Sequence, residues 1–184
     1  METTERVVEA YVRYVKGWAT IPNVKCAGQY EIDLIAIDPV SLSRYHIEVG
    51  VHIASGFKSL TARPFSATAL KERVQGPAQR RTLGFYLERK FGPREVRDKL
   101  KEYGFEENSY GRVIVSWGWT EEAAEQAQAA GVQLWDFRTL LKEMANLVIG
   151  AKRQYFPDDT LRTLHLFCRA STEESQESGT EANS

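Results

Sequence analysis

The chain has 184 residues, of which 42% are hydrophobic and 11% aromatic, and its formal net charge is -1. This composition supports one domain with a substantial core, and it excludes a polycation whose whole surface would bind nucleic acid. The two cysteines, Cys26 and Cys168, lie far apart. This separation excludes a disulfide framework and a zinc spacing and favours a reducing, cytoplasmic location. No apolar run approaches membrane-spanning length, so we expect no membrane partner.

The first third of the chain predicts a helix followed by a β-hairpin. Thr3 or Thr4 can cap the helix, whose apolar positions form one stripe: Val7, Val8, Tyr11, Val12 and Val15. From Val24 onward the pattern has the two-residue period of strands, with "YEIDLIAID" and "YHIEVGVHI" joined by the turn "PVSLSR". The second strand has one apolar face and one polar face. The polar face carries His46, Glu48, Gly50 and His52.

The rest of the chain alternates strands with helices. Between residues 54 and 104 the sequence is charged and irregularly helical. "RVIVSW" and "VQLWDF" then predict short strands, with Thr120 and Gly131 bounding the helix between them. This order predicts parallel strands in a sheet covered by helices. Residues 171–184 contain Ser, Thr, Glu and Gly without an apolar anchor, which predicts a disordered acidic tail after one domain at 1–170.

Two predicted strands bring carboxylates toward each other. Asp33 lies on the first strand of the hairpin and Glu48 on the second, so pairing of the strands would bring these side chains within reach. Such a pair is costly in an apolar sheet unless a cation or a shared proton balances it. Oxygen ligands suit Mg2+ or Mn2+, which orient a phosphate and activate water. The alternative is that Glu31, Asp33 and Glu48 form the solvated face of an ordinary hairpin.

The order of these segments resembles the PD-(D/E)XK nuclease superfamily, and more narrowly its branch of Mrr-type restriction endonucleases and Holliday-junction-resolvase-like domains. A helix with a glutamate precedes "EIDLIAID" and "HIEVG", and "TEEAAEQAQAAGVQLW" ends the match, which covers about residues 5 to 147. The resemblance implies an α/β fold with a restriction-endonuclease-like core, a mixed sheet flanked by helices, and a helical basic insertion at about 54–104. It also implies hydrolysis of DNA phosphodiesters with Mg2+ or Mn2+, and a homodimer, because many such folds act as dimers.

The resemblance assigns candidate metal ligands one by one. Asp33, within "EIDLIA", matches the first metal-binding aspartate, and Glu48, within "IEV", matches the second acidic ligand. Val49 would offer its backbone carbonyl to the metal. Glu5 matches the helical glutamate of many members, with Glu9, one turn later, as the alternative. The competing interpretation of both glutamates is a solvated helix surface.

Gly50 departs from the pattern of the superfamily. The lysine of the E-x-K motif, which positions the attacking water and stabilises charge on the phosphorane, falls on Gly50 in this sequence. Lys71, in "SATALKERVQ", is the first candidate to supply the missing cation from a following helix, which gives Asp33, Glu48 and Lys71 as the expected catalytic set. His52 and Lys58 are weaker candidates. The remaining interpretation is a catalytically inactive fold that binds nucleic acid or a protein partner.

The insertion is strongly basic, although the whole chain is not. From Lys71 to Lys101 there are ten basic and four acidic residues, with aromatic residues between the charges. This pattern is typical of contact with a phosphate backbone. We therefore expect a group of basic residues to bind nucleic acid: Arg73, Arg80, Arg81, Arg89 and Lys90. The alternatives are salt-bridged helices with aromatics in the core, or an unrelated α/β protein with structural carboxylates.

Overall fold

The computed structural model describes residues 2–51, 59–107, 109–151 and 155–181. Within these ranges five strands form one sheet: β1 Ala19–Lys25, β2 Glu31–Ile37, β3 Arg44–Gly50, β4 Gly111–Ser116 and β5 Val132–Asp136. The strand order in the sheet is the chain order. β1, β2 and β3 are antiparallel, whereas β3, β4 and β5 are parallel. The predicted α/β fold with a mixed sheet flanked by helices is confirmed.

Helices cover both faces of the sheet. The α-helices are α1 Thr3–Tyr14, α2 Ala67–Leu70, α3 Gly76–Gln79, α4 Leu83–Phe85, α5 Arg94–Glu102, α6 Glu121–Ala129, α7 Phe137–Gly150 and α8 Asp159–Glu181. A 3-10 helix spans Ala27–Gln29, and a π-helix, Tyr86–Phe91, continues directly from α4. The described residues of the insertion between β3 and β4 are therefore irregularly helical, as the sequence predicts.

The hydrophobic core has a separate cluster on each side of the sheet. On one side, the apolar stripe of α1 packs with Ile47 of β3 and Met144 of α7, which are fully buried. On the other side, the insertion contributes Leu83 and Phe91, which pack with Ile114 of β4 and with α6. A third cluster joins β1 and β2 to α5. The insertion is thus part of the folded body and covers the polar face of β3.

The register of the β2–β3 hairpin decides which polar groups meet. Leu34 lies opposite Ile47 and Ile35 opposite His46. Extending this register by one residue brings Asp33 beside Glu48, because residues on antiparallel strands pair at a constant sum of positions. The hairpin that the sequence predicts therefore places these two acidic residues side by side.

The structure corrects the predicted start of the β region. β1 begins at Ala19 and not at Val24, and it pairs with β2 along its length, including Pro22 opposite Leu34. Proline removes a backbone donor, which argues against a central strand. β1 lies at the edge of the sheet, where the outward donors need no strand partner, so Pro22 is tolerated there.

The helix N-termini show one further correction and one confirmation. Glu2, and not Thr3 or Thr4, is the N-cap of α1, and its N–H donates to Glu5 Oε2 at 2.9 Å. Thr120 does cap α6, with its Oγ1 accepting from the Ala123 N–H.

The segment that the sequence predicts to be disordered from residue 171 continues α8 as far as Glu181. An established helix lengthens at little cost per residue, and residues 171–181 contain no proline to stop it. The earlier part of α8 is held by Leu161, which is buried against the core. No helix within the described ranges is long and apolar enough to cross a membrane.

Candidate active site

Asp33 and Glu48 lie in the interior, beneath the insertion. Asp33 is 7% exposed and Glu48 is completely buried. Both side chains stand on the sheet face that the insertion covers, whereas Leu34 and Ile47 face the opposite core. Two adjacent carboxylates without solvent are unstable as a charged pair unless a cation lies between them. The solvated-hairpin interpretation of these two residues is therefore wrong.

Lys90 provides a cation to both carboxylates. Its Nζ lies 2.9 Å from Asp33 Oδ1 and 2.5 Å from Glu48 Oε2. Because Asp33 Oδ1 and Glu48 Oε2 contact the same nitrogen atom, the distance between these two oxygens is at most the sum of the two contact distances, and the two carboxylates lie close together. Lys90 stands in the π-helix, a helix type often found at functional sites. Lys71, the residue expected to supply this cation, is exposed at the C-terminal end of α2.

Tyr86 explains the glycine at position 50. A Cβ atom built on Gly50 would lie 1.6 Å from the Tyr86 hydroxyl oxygen and 2.8 Å from Cζ. The phenol therefore fills the space that a side chain at position 50 would need, and only glycine fits beneath it. Tyr86 and Lys90 are four residues apart in the same helix, so both reach the sheet from one side. A lysine at position 50 is incompatible with this position of Tyr86.

Each carboxylate also has one oxygen held by a fixed donor. The backbone N–H of Val49 donates to Asp33 Oδ2 at 2.8 Å. His46 Nε2 lies 2.7 Å from Glu48 Oε1, and the imidazole packs edge-on against Phe91 with ring centroids 4.7 Å apart. Burial lowers the pKa of His46 to about 3, so the ring is neutral and its Nε2–H tautomer donates to the carboxylate. The second oxygen of each carboxylate is thereby directed toward Lys90.

The electrostatics of the cluster follow from burial and mutual repulsion. Burial, followed by the charge of Glu48, raises the pKa of Asp33 to about 7, although Lys90 and the Val49 N–H oppose the shift. Burial also raises the pKa of Glu48, again against the effect of Lys90. Burial disfavours the ammonium form of Lys90, but the two carboxylates together raise its pKa above the ordinary value. When both acids are ionised, one ammonium balances two carboxylates, and one negative charge is left for a further cation or a proton.

A cavity of about 500 Å³ opens above this cluster. Its lining includes the acidic residues Glu2, Glu5 and Glu31, the basic residues Arg80, Arg89 and Lys90, and the aromatic residues Tyr30, Phe85 and Tyr86. Asp33, Val49 and Gly50 also line it. The cavity therefore connects the buried cluster to the surface between the hairpin and the insertion.

The predicted helical ligand occupies the edge of this cavity. Glu5 lines the cavity, and burial raises its pKa, but its carboxylate also accepts the N–H of Glu2. The alternative, Glu9, instead accepts from Thr20 Oγ1 at 3.2 Å and pairs with Arg13 at 3.7 Å. Among the described residues, no three His, Cys, Asp or Glu side chains converge closely enough to hold a metal together.

The predicted nucleic-acid-binding residues separate into two groups. Arg80, Arg89 and Lys90 from the predicted group line the cavity. The Arg89 guanidinium lies 5.7 Å from the centre of the Tyr30 ring. Arg81 donates from Nε to the Pro77 carbonyl oxygen at 3.1 Å, and Arg73 is exposed. His52 and Lys58, the weaker candidates for the missing cation, lie outside the described residues.

Sequence reasoning assigned Lys90 to the group of nucleic-acid-binding residues and gave Tyr86 no role at the carboxylate site. Two signals could have found them. Gly50, in the middle of a polar strand face, implies an occupant from another element. Tyr86 and Lys90 also have the four-residue spacing that places two side chains on one side of a helix.

Comparisons with known proteins leave the function open. No protein-family model and no curated protein matches the chain. A crystal structure of AF1548, a protein of unknown function, is similar over 90% of this chain and 95% of that one, with a TM-score of 0.47 and 14% identity. At this level of similarity the comparison identifies no activity.

Proposed function

We propose that this chain is a divalent-metal-dependent nuclease-like protein that hydrolyses DNA phosphodiesters, and that Lys90 replaces the cation absent from position 50. The observation that carries the proposal is the contact of Lys90 Nζ with both Asp33 and Glu48. The superfamily pattern needs two acidic residues and an ammonium group at one point. Here they meet, with the ammonium group arriving from the insertion instead of from β3.

The donor set fits Mg2+ or Mn2+. Asp33 and Glu48 each present a carboxylate oxygen on the same side of the hairpin. Mg2+ commonly uses one or two carboxylates and completes its shell with water and substrate phosphate, so a three-residue cluster is not required. The carbonyl of Val49 and the carboxylate of Glu5 remain predicted additional ligands. A bound ion would act as a Lewis acid and lower the pKa of water.

The residues of the chain have distinct roles in this proposal. The Lys90 ammonium group donates to the phosphate oxygens as negative charge develops, a stabilisation that is strong in a water-poor site. His46 and the Val49 N–H fix the orientation of the two carboxylates. Tyr86 occupies the space above Gly50, where the lysine of the E-x-K motif would otherwise stand.

Cleavage of DNA with Mg2+ or Mn2+ tests the proposal. We expect the parent protein to cleave and Lys90→Ala to lose about 100- to 1,000-fold in rate, the usual cost of removing one transition-state donor. Lys71→Ala is the matched control, because it removes the same group from an exposed position, and its rate should remain near that of the parent protein. Asp33→Asn should also abolish cleavage while preserving the size of the side chain.

Two outcomes would contradict the proposal. Absence of cleavage by the parent protein with either ion would favour the alternative, a nuclease-like fold that binds DNA or a protein partner without cutting. Equal rates for Lys90→Ala and the parent protein would exclude the role of Lys90. The resemblance also implies a homodimer, and sedimentation of the purified chain tests that part separately.

A further inference from the structure

The reactive groups lie at the bottom of the cavity and not on an open surface. The side chain of Glu48 is 0% exposed and that of Asp33 is 9% exposed, while Lys90 retains 24%. A phosphodiester bond must therefore enter the cavity before its phosphate can reach the carboxylates and the ammonium group. The shape of the path limits which form of DNA can do so.

The size of the cavity distinguishes a flexible strand from a stiff duplex. Its volume of about 500 Å³ lies in the range of sites that enclose small ligands, about 300–1,000 Å³. Double-helical DNA is stiff, with a persistence length of about 50 nm, so bending one backbone segment locally into such a space costs free energy. A single strand has no such restriction.

The walls of the cavity offer the two kinds of contact that single strands use. Tyr30 and Phe85 are half-buried aromatic residues on the lining, so part of each side chain remains exposed to a base. Arg80 and Arg89 are exposed cations on the same lining, and Arg89 already lies over the face of Tyr30. Aromatic stacking beside a positive groove is the usual basis of single-strand binding.

Carboxylates on the lining disfavour a second phosphate backbone. Glu2, Glu5 and Glu31 line the same cavity as the two arginines. A duplex would bring the phosphates of two strands to this lining, whereas a single strand brings the phosphates of one. Like charges at close range oppose binding.

We infer that the cavity binds single-stranded DNA, with one or more bases on Tyr30 and the phosphates along Arg80 and Arg89. This inference rests on the proposed function, since it assigns the substrate form of the same site. It places base stacking and phosphate contact on the path that leads to Lys90.

Binding without metal tests the inference separately from cleavage. Fluorescence anisotropy would compare a labelled oligothymidylate with a blunt duplex of equal length, both with the full chain. We expect tighter binding of the single strand, and a loss of about 5- to 150-fold for Tyr30→Ala, the fold-change for losing one stacked base. Tyr30→Phe retains the ring and should bind like the parent protein. Tyr155→Ala removes a tyrosine that is 72% exposed on the chain leading into α8, and it should change nothing.

A charge variant supplies a second measurement. Arg89→Glu should weaken binding of the single strand and make it less dependent on salt, because a phosphate contact releases counterions. Lys101→Glu makes the same charge change at an exposed position on α5, outside the described lining, and should have little effect. Urea unfolding of each variant confirms that the fold is retained.

The outcomes separate the two proposals. Equal or tighter binding of the duplex, or equal affinities for Tyr30→Ala and Tyr30→Phe, would overturn the inference. Binding of the single strand without cleavage in Mg2+ or Mn2+ would contradict the proposed function and leave the binding inference standing. Cleavage of duplex DNA without preference for single strands would support the proposed function and contradict the binding inference. Absence of binding to either form of DNA would contradict both proposals.

Discussion

Replacing Lys90 with methionine should reveal how much free energy of unfolding is lost when the two buried carboxylates have no cation. The change keeps an unbranched side chain of similar length but removes the charge that Asp33 and Glu48 share. Removal of one partner from a buried ion pair costs about 3–5 kcal/mol. Since small domains have only about 5–15 kcal/mol of unfolding free energy, this loss would be a large part of the total.

The loss should depend on pH in a defined direction. Burial raises the pKa of both carboxyl groups, and Lys90 opposes each shift, so its removal raises them further. When the pKa of a carboxyl group is higher in the folded state than in the unfolded state, the group costs no stability below its unfolded pKa. The free energy of unfolding then falls as the pH rises from the unfolded pKa to the folded pKa. Each pH unit changes the free energy by up to about 1.4 kcal/mol for each affected carboxyl group. The deficit of Lys90→Met should therefore be large near pH ~8 and clearly smaller near pH ~5.

Urea unfolding at the two pH values, followed by the fluorescence of the four tryptophans, measures this deficit. The control combines Lys90→Met with Asp33→Asn and Glu48→Gln, so that no buried charge remains, and it should recover much of the lost stability. A deficit that is equal at both pH values, or one below about 1 kcal/mol as in exposed ion pairs, would refute the assignment of a buried shared cation.

Two further changes test the neighbours of the ion pair. Gly50→Ala should destabilise the protein by about 1–3 kcal/mol, because the added methyl group overpacks against Tyr86. Urea unfolding should show that this cost largely disappears when Tyr86 is also replaced by alanine. An equal cost with and without Tyr86 would contradict the close approach of the two residues. His46→Gln keeps a donor for Glu48 but removes a group whose folded-state pKa is about 3. Because the unfolded state gains a proton that the folded state excludes, the parent protein should lose stability relative to His46→Gln as the pH falls below the unfolded pKa, about 6.5, by up to about 1.4 kcal/mol per pH unit. Parallel stability curves would exclude a buried neutral imidazole.

The hairpin and its two acids could be predicted from the sequence because their signal is local. A two-residue period on two strands and a short turn determine that Asp33 and Glu48 approach each other, and the register confirms it. The β4–α6–β5 order is equally local, and Thr120 marks its helix directly. β1 was partly missed because Pro22 suppresses the strand pattern, and only its position at the sheet edge makes it acceptable.

The position of Lys90 could not be predicted in the same way. It is separated from Asp33 by 57 positions in the sequence, and its contact depends on how several short helices of the insertion pack on the sheet. Lys71 was the first candidate because it lies on a helix that follows the hairpin and could reach back toward Glu48, but it is exposed. A short-range pattern cannot rank two lysines on different turns of an irregular segment. The missing side chain at Gly50 indicated that something fills the space, without indicating which residue.

The agreement between chain order and strand order has a consequence for folding kinetics. Pairing of β1, β2 and β3 closes only short loops, whereas pairing of β3 with β4 must first close the whole insertion, and closure entropy grows with loop length. We therefore expect the antiparallel meander to form while Asp33 and Glu48 are still hydrated. The carboxylates would lose their water only when the insertion docks and brings Lys90 with it. To the extent that the ion pair forms after the rate-limiting barrier to folding, its contribution appears as a slower rate of unfolding.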